Sequence, residues 1–334
     1  MTTGRCAVIG GRLPVEYGRS MLHVRVISPP DLTVATMELL EANPAVTHLW
    51  VSRDSARKPV GDVISGDVAR EAAAGVIGQL RGLGLARDGA IAVERLDIIL
   101  SGAAERAERD APGQGADALI WEELEQNAGE ETRLSVSYLT FMVVAMLIAS
   151  IGVLVDQPIL IVGAMVVGPE FGPLVALCVG IVARQPRRAG TALGALLLGF
   201  LVGMMGTVLF TWAMTAIGLV DESMLTGERP LTSFIWQPDA LSWIVGFLAG
   251  VAGILALTSA KSGALVGVLI SVTTVPAAAN AAVAVAYWVP SEAVGSTVQL
   301  LINLASIVLA GVITLLFQRT RQNRLVARLA SSTH

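Results

Sequence analysis

From Ser135 to the C-terminus, 200 positions carry only nine basic and seven acidic side chains. A stretch so poor in charge cannot cover a water-soluble fold, and its apolar runs are long enough to cross hydrocarbon repeatedly. The charges gather in residues 1–134, which hold 14 Lys and Arg and 20 Asp and Glu. This contrast divides the chain near Ser135 into a soluble N-terminal part and a membrane part. At 54% hydrophobic and 15% charged, the whole chain fits a polytopic membrane protein.

Several function classes drop out early. Cys6 and Cys178 fall in different parts, so no disulfide framework or CxxC metal site is available. His23, His48 and His334 lie outside the apolar region, which leaves no intramembrane zinc cluster. The net charge of −6 over residues 1–134 argues against nucleic acid as a partner. No signal-like apolar run precedes the soluble part, so it is expected to stay in the cytosol. Residues 1–20 have no place in the fold read below, and Met21 is a candidate start.

In the soluble part, "LHVRVIS" (22–28), "VTHLWVS" (46–52), "PVGDVISGDV" (59–68) and "AIAVERLDIIL" (90–100) read as strands. "LTVATMELLEAN" and "VAREAAAGVIGQLRGLGL" carry apolar residues at helical spacing. The order βαββαβ predicts a ferredoxin-like α+β domain over 21–115. The glycines of "GLGLARDG" (82–89) follow a helix, so they read as a helix end and turn rather than a phosphate loop. His23 and His48 read as packed or surface residues. Residues 116–134 read as an amphipathic linker helix, an elbow into the membrane.

Six spans can be drawn in the membrane part, about 135–155, 159–183, 190–219, 241–259, 264–288 and 297–317. With the N-terminus inside, Arg184, Arg187, Arg188, Lys261, Arg319, Arg321, Arg324 and Arg328 all fall inside, and Arg229 falls outside. Asp156, Asp221, Glu222, Glu228, Asp239 and Glu292 then lie in external loops, where they read as ordinary loop polarity. Both termini, including the basic tail 319–334, are therefore expected in the cytosol. Gly190, Gly194, Gly199 and Gly203 in the third span, and Gly246, Gly250 and Gly253 in the fourth, sit at helix-packing spacing. They make a homo-oligomer a reasonable expectation without fixing its size.

The second span contains "GAMVVGPEFGPL" (163–174), two Gly-Pro pairs around an acid, about ten residues and so ~15 Å into the bilayer. Pro169 removes a helical donor, Pro173 is read as freeing a carbonyl, and Gly168 and Gly172 permit non-helical backbone. Open backbone at this depth must be buried in protein or line a wet cavity. The fifth span is interrupted at a similar depth by Thr273, Thr274 and Pro276. A gapless slide of 104 residues sets Glu170 on Thr274 and Gly172 on Pro276. Spans 1–3 and 4–6 share one layout, and three crossings per unit require inverted copies. Paired broken helices in inverted repeats point to a transporter site. Glu170 has two readings, an ion or proton carrier or a cap on the second half-helix. Asn280 reads as a further site residue or as interhelical glue.

"ASIGVLVDQPILIVGAMVVGPEFGPLVAL" (149–177) resembles the signature of the bacterial family named domain of unknown function 389, and "GVLISVTTVPAAAN" (267–280) resembles its second, proline-containing signature. The resemblance runs from about Arg133 to Val285. It implies a bacterial plasma-membrane protein with a cytosolic N-terminal domain, and it brings no established substrate. It also implies an apolar residue at position 170 in many members, so Glu170 departs from the pattern.

The expectation is a transporter or channel for a small solute or ion in the lipid bilayer. Its site would comprise Gly168, Pro169, Glu170, Gly172, Pro173, Thr273, Thr274, Pro276 and Asn280. The alternative is a membrane-anchored sensor or scaffold whose cytosolic domain binds a ligand or partner. No HExxH, aspartate pair or in-membrane histidine is present, so an enzyme is not expected. No cofactor is implied.

Overall fold

The computed structural model describes residues 21–96, 99, 101–111, 124, 134–258 and 273–332, with side chains to Arg321. The chain divides into two compact units, Met1–Ala118 and Leu119–His334. The predicted extension 1–20, most of the linker helix 116–134 and the first part of the predicted fifth span lie outside the described residues.

In the first unit the order is β1 (Met21–Ser28), α1 (Thr33–Glu41), β2 (Val46–Arg57), β3 (Val60–Ala69), α2 (Arg70–Gly82), a single helical turn (Leu85–Asp88) and β4 (Ala90–Arg95), followed by α3 (Gly102–Asp110). The sheet is antiparallel, in the order β2-β3-β1-β4. Alternation in β1 sets Leu22, Val24 and Val26 on one face, all buried, with Ile64 and Val68 of neighbouring β3. Val76, Ile77 and Leu80 of α2 are buried as well. The turn after α2 needs Gly84, whose φ of 86° lies in the left-handed region. This agrees with a helix end rather than a phosphate loop. Ser101 caps α3, its side chain accepting from the amides of Ala103 and Ala104.

Sequence spacing missed one polar cluster on this sheet. His23 and His48 each place Nδ1 2.7 Å from a different oxygen of Asp67, and His48 Nε2 lies 2.8 Å from Ser101 Oγ. A second carboxylate, Asp62, accepts from Thr33 Oγ1 at 2.7 Å and from the Asp54 amide at 2.8 Å. These bonds, the Asp54 amide first, hold its carboxyl below the usual aspartate range.

The second unit contains α4 (Val136–Leu154), α5 (Pro158–Val167), α6 (Phe171–Val182), α7 (Pro186–Ala216), α8 (Ala240–Thr258), α9 (Thr274–Ala286) and α10 (Pro290–Ser332). Four of them, α4, α7, α8 and α10, are long and apolar enough to cross a membrane. The pair α5 and α6 passes the same test together, bent by 53°, and makes a fifth candidate. Of the predicted span 264–288 the described helix is the shorter α9.

The burial pattern agrees with a lipid environment. Leu197, Leu201, Met205 and Leu209 form an i, i+4 row along α7, and each is more than half exposed. A fold in water would not leave such a stripe bare. By contrast α9 is buried almost all round and packs against α4, α5, α7 and α10. Its "AAANAAVAVA" is what a central helix with neighbours on every side has room for.

Small residues set two of the close approaches. A Cβ on Gly203 of α7 would collide with Met146 of α4, and one on Gly250 of α8 would lie 2.7 Å from the Ile307 carbonyl of α10. Gly190 and Gly194 face open space. Half of the expected glycine row on α7 therefore packs nothing among the described residues.

The loop 217–239 is tucked into the bundle. Leu225 and Ile235 are fully buried, and Asp156 accepts from Thr232 Oγ1 at 2.8 Å. At the other end of the bundle, Arg319 of α10 donates to the Val182 carbonyl that closes α6, at 2.6 Å.

Candidate functional site

The break between α5 and α6 follows from three residues. Gly168 ends α5 in an extended conformation, φ −63° and ψ 127°. A residue preceding proline is pushed toward that region, and Pro169 enforces it. The chain restarts as helix at Phe171, with Glu170 in the N-cap position. α9 begins at Thr274, with Thr273 in the N-cap position.

The prolines do different work from that expected. Pro173 is the third residue of α6, and Pro276 is the third of α9. The first turn of a helix has no intrahelical use for its N–H groups, so proline there frees no carbonyl. Gly168-Pro169 makes the first break, and Pro173 and Pro276 mark helix starts. The two starts also align one residue away from the predicted slide: Pro276 follows Pro173 by 103 residues, not 104. The first helical bonds then coincide, Leu174 N to Glu170 O and Ala277 N to Thr273 O, both 3.2 Å.

These two helix starts meet. Thr274 Oγ1 donates to Glu170 Oε1 at 2.9 Å, with both side chains buried. Glu170 is 4% exposed, and its Oε2 has no hydrogen-bond partner among the described residues. That oxygen lies against the α-carbon of Gly168, where a Cβ would collide with it and would come 2.9 Å from Val275 Cγ2. Glu170 does not cap its own helix by side chain, nor does Thr273. Behind Thr273, Asn303 Nδ2 of α10 donates to Thr273 Oγ1 at 2.8 Å, and Gln299 Nε2 lies 3.4 Å from Asn303 Oδ1. The structure thus gathers Gly168, Glu170, Thr273 and Thr274 at one point, with Pro169, Gly172, Pro173 and Pro276 forming the backbone around it. A neighbouring cleft bounded by Phe171, Cys178, Gly250, Ile254 and Gly311 is apolar and offers nothing to orient a polar solute.

Asn280 belongs elsewhere. Six residues beyond Thr274, it lies ~9 Å along α9. Its Oδ1 accepts from Arg229 Nη1 at 3.2 Å, and its Nδ2 donates to Ser296 Oγ at 2.7 Å and to Glu292 Oε2 at 3.3 Å. Arg229 Nη2 and Glu292 Oε2 are 2.5 Å apart, with side chains 5% and 8% exposed. Arg229 and Glu292, read from the sequence as loop charges, form a buried ion pair between the loop 217–239 and α10. Among the described residues no group of three or more His, Cys, Asp or Glu could hold a metal ion.

The match to known proteins covers these elements. Residues 165–309 match the domain of unknown function DUF389. The matched stretch runs from the end of α5 into α10 and includes both helix starts and Asn280. The chain is also similar to an uncharacterized protein of Methanocaldococcus jannaschii, 23% identical over 216 residues, which cover 63% of this chain and 61% of that protein. The chain thus spans about three fifths of the length of this curated relative. No solved structure matches.

Proposed function

We propose that this membrane protein carries a small solute or ion across the bilayer, and that the solute passes the junction of the α6 and α9 starts. One observation carries the reading: a buried carboxylate oxygen without a partner among the described residues stands where α6 and α9 begin. An acid inside a membrane domain is a functional candidate by default, because leaving it there is costly. The junction as described is closed by the Glu170–Thr274 bond, as one state of an alternating cycle would be.

The same proposal takes the membrane part as six spans in two inverted repeats. The helix starts share a register, and their packing is reciprocal: α6 lies on α7 and α10, and α9 lies on α10 and α7. The sheet order of the first unit supports a ferredoxin-like domain. The basic residues at one end support cytosolic termini. Association into a homo-oligomer remains part of the proposal.

The test is reconstitution of the full chain into liposomes with a panel of ion gradients and a potential-sensitive dye. Flux above protein-free vesicles, reduced in Gly168→Ala, is the expected result. Well-folded protein that moves none of the panel would overturn the reading.

The Asp67 cluster favours a second reading, a sensor whose first unit binds a ligand or partner through its paired imidazoles. Ligand-dependent stabilisation that Asp67→Asn removes, in protein without flux, would favour it.

A further inference from the structure

We infer that the solute of this junction is a small monovalent anion and that the Glu170 carboxylate is its tethered competitor, occupying the anion's own position. The inference rests on the transport reading above and adds the sign of the charge.

Four features point the same way. First, α6 and α9, of 12 and 13 residues, both begin at the junction. Each helix brings the positive end of its dipole and the N–H groups of its first two residues, which its own backbone cannot use, the third residue being proline. Such ends are anion sites. Second, neither N-cap side chain satisfies its own helix, so the donors are not spent on a local cap. Third, the hydroxyls present donors. Thr274 Oγ1 already donates to a carboxylate oxygen. Thr273 Oγ1 accepts from Asn303, which leaves its own hydrogen to donate elsewhere. Fourth, the occupant is itself a carboxyl group. Glu170 is more than nine-tenths buried, and no cationic side chain bonds to it among the described residues. Among the described residues its one bonded oxygen takes a hydroxyl and the other has no partner.

A carboxyl group bonded to one hydroxyl, at the point where two helices begin, is the analogue of a small anion on a short leash. The chain can swing it aside, and an untethered anion of halide or nitrate size then meets the same donors. The space beside Gly168 is tight, since a Cβ there would meet both Glu170 Oε2 and Val275 Cγ2, and this favours a small occupant. A cation would need oxygens instead, and among the described side chains at the junction only Glu170 is a pure acceptor.

The test uses the purified full chain with Glu170→Gln, which keeps the shape and removes the charge. Its thermal midpoint is compared in chloride, nitrate and gluconate at equal ionic strength. Chloride and nitrate are expected to raise the midpoint of Glu170→Gln, and the wild type should respond weakly. If the tether fills the site nine-tenths of the time, removing it raises apparent anion affinity about tenfold. Thr274→Val in the Glu170→Gln background should abolish the response. Glu170→Ala serves if the glutamine variant does not fold.

Liposome flux then separates the two readings. Faster chloride flux in Glu170→Gln supports both. Anion stabilisation without any flux keeps the anion site and overturns transport. Sodium, potassium or proton flux that Glu170→Gln abolishes, with no anion response, keeps transport and overturns the inference. It would assign the site to the carbonyl end of α5.

Discussion

Replacing Glu292 with Gln should be among the most damaging single changes in the membrane unit. The substitution keeps the volume and removes one charge. Arg229 would remain buried, with Asn280 Oδ1 at 3.2 Å as its remaining strong acceptor among the described groups. Its Nε already lacks a partner among the described residues. Stripping a buried ion of its counter-charge costs about 3–5 kcal/mol, whereas an exposed pair contributes about 0–1 kcal/mol. For a unit of this size, about 2–4 °C accompanies each kcal/mol, so a fall of roughly 6–20 °C in midpoint is expected. The assay is thermal unfolding in detergent, run as a cycle with Arg229→Met and the double variant. The double variant should recover most of the loss, because it leaves no charge stranded. A Glu292→Gln shift of a degree or two, with additive singles, would refute the reasoning and return both residues to solvent.

Two further outcomes follow from the packing. Gly203→Ala should lower stability by about 1–3 kcal/mol, since its Cβ enters the space of Met146, while Gly190→Ala should be nearly silent; paired unfolding curves check both. Asp62 has a depressed carboxyl, so its stabilising effect is full above the ordinary aspartate value of 3.8 and fades as pH falls through the folded value. Hydrogen-exchange protection of β3 should therefore differ between wild type and Asp62→Asn near neutrality and converge in acid, compared at matched pH.

Much of this architecture is legible in the residues. The alternation in β1 places its buried face, and Gly168-Pro169 marks the break between α5 and α6. What the sequence hides is pairing at a distance. Arg229 and Glu292 lie 63 positions apart and read as loop charges, because topology counting assigns a charge by its place between spans. Only the tuck of the loop 217–239 makes them neighbours. Asp67 gave no local signal either, since its two imidazoles come from other strands. The proline error has a different origin. Proline interrupts a helix or begins one, and spacing alone does not say which. The slide of 104 residues paired Glu170 with Thr274, the two residues that meet, but equivalence in a repeat does not imply contact, and their closeness needed the fold.

The longest helix has a mechanical consequence. α10 holds Glu292 in its first turn and Arg319 twenty-seven residues later, a span of ~40 Å. At one end it is bolted to Arg229 of the loop 217–239, and at the other to the last turn of α6. An α-helix of this length is a strut that bends far more easily than it shortens. The distance between its two anchorages is therefore fixed. Whatever rearrangement parts Glu170 from Thr274 must turn the neighbouring helices about that strut, or else unfasten one of its bolts.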